Sequence, residues 1–69
     1  MKYSARNALK GKVKEIEIGQ VAAEVVIELP GGAQVVSMIT KESVDNLGLK
    51  VGKEAYAIIK ASNVILGVD

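Results

Sequence analysis

Leu9-Lys10-Gly11-Lys12-Val13-Lys14-Glu15-Ile16-Glu17-Ile18 is the stretch whose pattern sets the fold. Up to Lys14, the small or apolar Leu9, Gly11 and Val13 alternate with lysines, the period of a strand with one face toward a core and one toward water. After Glu15 the apolar positions become Ile16 and Ile18, a change of parity that one inserted residue, a β-bulge, produces. Gly19-Gln20 suits a tight reversal. From Val21 a second run places Ala23, Val25, Ile27 and Leu29 opposite Glu24, Val26 and Glu28, and Pro30-Gly31-Gly32 closes it.

Working outward, residues 33–39 read as a third strand, apolar on both faces because Val35 and Val36 are adjacent, with one face expected to meet another subunit. Thr40 can cap a short helix over residues 41–47, with Val44 and Leu47 on one face and Gly48 ending it. Residues 49–53 form a turn. A fourth strand over residues 54–60 puts Ala55, Ala57 and Ile59 on one face and Tyr56 and Ile58 on the other. Ala61-Ser62-Asn63 interrupts it, and residues 64–68 are a fifth apolar run. The predicted fold is therefore mainly β: a five-stranded OB-like Greek-key barrel with one short helix between strands three and four, an SH3-like barrel being the runner-up. Neither fold identifies a function.

With 69 residues, the chain is expected to be one domain spanning 1–69. Nine Lys and Arg against eight Asp and Glu leave a net charge of +1, too little to recruit nucleic acid or an anionic membrane as a whole. The absence of Cys and His removes thiol nucleophiles, disulfides, zinc clusters and imidazole acid–base chemistry, and no nucleophile stands with a base, so an enzyme is not expected. Aromatics are 3%, Tyr3 and Tyr56 alone, which counts against a base-stacking nucleic-acid surface. With no signal-peptide core and no membrane-length apolar run, a cytoplasmic location with no membrane partner is expected. A core this small rarely supplies more than ~3–5 kcal/mol unaided, so a homo-oligomer is expected.

Two segments join small residues, hydroxyls and one cation beside strands: Ser4-Ala5-Arg6-Asn7 and Lys60-Ala61-Ser62-Asn63. Each offers backbone N–H groups, a hydroxyl donor and a positive charge, the parts of an oxyanion site. The same residues also suit plain turn caps and surface charges. Lys10, Lys12 and Lys14 read as the solvent side of a strand, and Glu15, Glu17, Glu24 and Glu28 as their surface partners.

The ordered set S-A-R-N at 4–7, L-x-G-x-V at 9–13, G-x-V-x-x-E-V at 19–25, I-T-x-x-S at 39–43, L-x-L-x-x-G at 47–52 and I-K-A-S-x-V at 59–64 resembles the molbindins, the Mop-family molybdate-binding domains, over nearly the whole chain. The resemblance implies an OB-like domain that takes up molybdate, or tungstate, as a tetrahedral oxyanion, with no organic cofactor. It implies a freestanding storage or buffering protein, assembled as a hexamer with anion sites between subunits. It makes Ser4, Arg6, Lys60 and Ser62 the side-chain ligands, with N–H groups from Ala5 and Ala61. Asn7 is implied at a second type of site, and Thr40 matches a stretch beside the anion pocket, although capping explains it equally well. A single-stranded nucleic-acid OB domain and a purely structural assembly module are the alternatives from other functional classes.

Overall fold

In the computed structural model, which describes residues 1–69, β1 (Asn7–Ile18) is long enough to serve two neighbours. Its second half pairs antiparallel with β2 (Ala22–Glu28), and its first half pairs antiparallel with β4 (Glu54–Ile59). The β1–β2 register runs Lys12 to Glu28 and Val13 to Ile27, then resumes as Glu15 to Val26, so Lys14 is the extra residue of a bulge where the parity change placed one. Beyond the bulge, the Gly19 N–H donates to the Ala22 carbonyl at 2.8 Å and closes the reversal.

β2 turns through Pro30, Gly31 and Gly32 into β3 (Gln34–Thr40), and α1 (Lys41–Leu47) leads on to β4. Both turn glycines have positive φ, 95° and 98°, which side-chain-bearing residues avoid. The sheet order is β3-β2-β1-β4, a three-strand meander whose fourth strand returns beside the first, which is the Greek-key order.

The core lies on the concave side, where Val13, Ala23, Val25, Ile27 and Val44 are buried. Gly11 is buried as well. A methyl group there would sit 2.5 Å from the Glu28 carbonyl oxygen and 2.7 Å from Ile27 Cγ2, so only glycine lets β1 approach β2 this closely. On the convex side Lys10 pairs with Glu54, and Lys14 with Glu28, each at 3.1 Å. The hydrogen bond to Glu54 and then its charge raise the Lys10 ammonium above its usual 10.5. Any stability from this exposed pair is complete below that value and is lost only as pH climbs past it, so it adds nothing that varies near neutrality.

One expectation is corrected. The sheet has four strands rather than five, because residues 64–68 follow a single 3₁₀ turn (Ala61–Asn63) away from the sheet and find no strand to pair with inside their own chain. Leu47 lines the apolar cleft between β3 and β4 together with Leu49 and Ile59, and it is 60% exposed because that cleft is open in the single chain. The remaining elements match, including the apolar outer face of β3, where Val36 and Met38 are 61% and 73% exposed.

Thr40 caps α1 as expected: the Ser43 N–H donates to Thr40 Oγ1 at 3.0 Å, and the Thr40 hydroxyl donates to Ser43 Oγ at 2.7 Å. Gly48 ends the helix in the left-handed region, φ 62°, and Lys53 Nζ donates to the last carbonyls, Leu47 and Gly48. Thr40→Ala is expected to destabilise the domain by about 1 kcal/mol, the usual worth of an N-cap. The check is a shift in urea midpoint at unchanged slope.

Candidate functional site

The ends of the chain meet because β1 and β4 pair antiparallel from their outer ends. Asn7 stands opposite Ile59, and the Asn7 side-chain amide donates to the Ile59 carbonyl at 3.2 Å, tying residues 52 apart in sequence. Residues preceding Asn7 therefore run alongside those following Ile59. The outcome is a cleft of about 200 Å³ lined by Ser4, Ala5, Arg6, Lys60, Ala61 and Ser62 and by nothing else.

That lining has two cations, two hydroxyls and no carboxylate. The backbone N–H groups of the same six residues take part in no hydrogen bond inside the chain, while the neighbouring turn uses Asn63 and Val64 N–H instead. Free donors and positive charge in one small concavity suit a compact anion and repel a cation. Ala5 and Ala61 keep side chains from covering their own N–H groups. Only Ala5 is half-buried; the other five residues are exposed, so an anion held by one chain alone stays partly in water.

Of the eight residues singled out in the sequence, six line this cleft. Asn7 borders it, with its amide committed to Ile59, so it acts as a staple within the chain. Thr40 is not brought to the cleft within one chain. It pairs with Ala22, beyond the end of β1 remote from Asn7, and its hydroxyl is engaged in the helix cap.

Two other concavities lack this chemistry. The one between Lys10, Lys12, Glu28 and Glu54 balances its cations with carboxylates. The one between β3 and β4 is almost wholly apolar. No group of His, Cys, Asp or Glu is arranged to hold a metal cation. No helix is long and apolar enough to cross a membrane.

Comparison with known proteins gives a consistent set of likenesses. The profile of the TOBE domain matches residues 3–66. A probable molybdenum-pterin-binding protein of Haemophilus influenzae is 55% identical over 69 residues, covering both chains completely. The solved structure of MopII from Clostridium pasteurianum is 45% identical, with a TM-score of 0.91 over 97% of this chain and 100% of that one. ModG, described as a cytoplasmic molybdate-binding protein and solved with molybdate bound, is 59% identical with a TM-score of 0.95; the match spans all of this chain and 49% of the ModG chain. These structures carry the same OB-like fold.

Proposed function

This chain belongs to the TOBE-domain family, among its molybdenum-pterin-binding (Mop) proteins, and from that premise we propose that it binds molybdate as an intact tetrahedral oxyanion, without catalysis and without an organic cofactor. The observation that carries this reading is the cleft in which Arg6 and Lys60 stand with Ser4, Ala5, Ala61 and Ser62 and no carboxylate. Two cations balance a dianion. The hydroxyls and N–H groups supply short, fixed donors around its oxygens. Tungstate has the same charge and shape and enters the same site. Sulfate has shorter bonds, so the site rejects it by cavity size and donor placement rather than by charge.

Because the cleft of one chain is shallow and exposed, the complete site lies between subunits of a homo-oligomer, a hexamer by analogy with the family. Residues 1–69 act as a single Mop-like domain in the cytoplasm, storing or buffering the anion.

Thermal shift and calorimetry with molybdate, tungstate, sulfate and phosphate test the reading. Molybdate and tungstate at about 100 times Kd should add ~2.7 kcal/mol and raise Tm by roughly 10 °C or more, with sulfate and phosphate far behind. The chain has no histidine, the side chain that ordinarily titrates between about pH 5 and 8, so affinity should stay nearly flat across that window. Equal shifts from all four anions, or none, would refute the proposal.

A further inference from the structure

Asparagine is uncommon in strands, yet Asn7 heads β1, half-buried, at the last rung of the β1–β4 ladder. Its amide reaches across that rung and donates to the Ile59 carbonyl at 3.2 Å. Ile59 ends β4, so the bond joins the roots of the two arms that form the anion cleft. Ile59 offers only an acceptor there, which is why the position calls for an amide donor and not a carboxylate.

Beyond that rung no hydrogen bond or ion pair joins the arms. Residues 1–6 bond to nothing else in the chain. The hydrogen bonds of the other arm stay inside its 3₁₀ turn, where the Asn63 and Val64 N–H groups donate to the Lys60 and Ala61 carbonyls at 2.9 and 3.3 Å. The spacing of the donors therefore hangs on one rung. Arg6 and Lys60 adjoin Asn7 and Ile59 in sequence, so a shift at the rung passes directly to both cations.

A cleft that separates two dianions of equal charge and shape by size must keep its donors at a fixed distance, because loose arms would close on the smaller ion as well. We propose, resting on the oxyanion reading of the cleft, that Asn7 is the positioning residue that makes the site prefer molybdate to sulfate. Its amide does not touch the anion. It pins the Ile59 carbonyl and holds the two arms at a spacing that the smaller ion does not fill.

Calorimetry with molybdate and with sulfate on Asn7→Ala, Asn7→Asp and Gly48→Ala tests the assignment. Asn7→Ala should weaken molybdate by about tenfold and leave sulfate within about twofold, so the preference falls by about fivefold or more. Asn7→Asp keeps the shape of the side chain but cannot donate to Ile59, and its charge repels both dianions alike. Both affinities fall, and the preference should drop as it does in Asn7→Ala. Gly48→Ala strains the left-handed end of α1, outside the cleft, and should lower Tm with the preference unchanged. The ratio of the two affinities is decisive because a loss of stability alone moves Tm and leaves that ratio where it was. Should Asn7→Asp fail to fold, Asn7→Ala still decides. The proposal is overturned if either folded Asn7 variant keeps the full preference, or if Gly48→Ala lowers it equally. An unmodified protein without a preference for molybdate removes the oxyanion reading and this proposal together, whereas a preference retained in Asn7→Ala removes this proposal alone.

Discussion

Arg6→Ala combined with Lys60→Ala is expected to abolish measurable molybdate binding, and each change alone to weaken it by about tenfold or more. A hydrogen bond to a charged group contributes roughly 1.5–3 kcal/mol, and every ~1.4 kcal/mol is a factor of ten in affinity. The two cations face one cleft without a carboxylate between them, so each partly compensates for loss of the other, and their effects need not add. Removing both leaves neutral donors against a dianion, which water solvates better. Both side chains are exposed, so neither change disturbs the core. Calorimetry is the check, with circular dichroism to verify folding and Lys12→Ala, outside the cleft, as a control of unchanged affinity. Unaltered binding in the double variant would make Arg6 and Lys60 ordinary surface charges.

Gly11→Val is expected to have the largest effect on stability, a loss of about 3 kcal/mol, at the upper end of overpacking in a close-packed core. Even the first carbon of a side chain would lie 2.5 Å from the Glu28 carbonyl oxygen. That atom is backbone and cannot swing aside, and Ile27 blocks the other direction. Relief requires β1 and β2 to separate at Lys12–Glu28 and Val13–Ile27, the register positions next to the core. In a domain whose own core supplies only ~3–5 kcal/mol, such a loss unfolds much of the population. Urea denaturation followed by circular dichroism measures it, and a midpoint within error of the unmodified protein would show that the sheet yields.

The hairpins were legible in the sequence because their determinants are local. The parity change from Val13 to Ile16 announced the bulge at Lys14, Pro30-Gly31-Gly32 announced a turn needing positive φ, and Thr40 with Gly48 bracketed the helix. Helical spacing placed Leu47 on the apolar side of α1 but could not say that the cleft it lines is open in the single chain. Residues 64–68 misled. Their composition is that of a strand, but a strand exists only with a partner, and no pattern within one chain says whose edge that is. The Mop-like residues were legible as two similar quartets, whereas their meeting in one cleft depends on the Asn7–Ile59 register, a long-range pairing that periodicity cannot express. Thr40 illustrates the limit of short motifs, since one hydroxyl satisfied both a cap pattern and a site pattern and the single chain uses it for the first.

The division of β1 between two neighbours also orders events in time. Its second half zips with β2 through a short reversal at Gly19, a local contact that forms early, whereas its first half must wait for β4, which arrives only after β3 and α1. Closing that long loop carries most of the chain-entropy barrier. The cleft of Ser4, Arg6, Lys60 and Ser62 is built at the outer end of this late pairing, so its contacts are expected on the native side of the transition state. An oxyanion bound there, as proposed, is expected to slow unfolding and to leave the refolding rate nearly untouched. Loading would then lengthen the protein's lifetime without helping it fold.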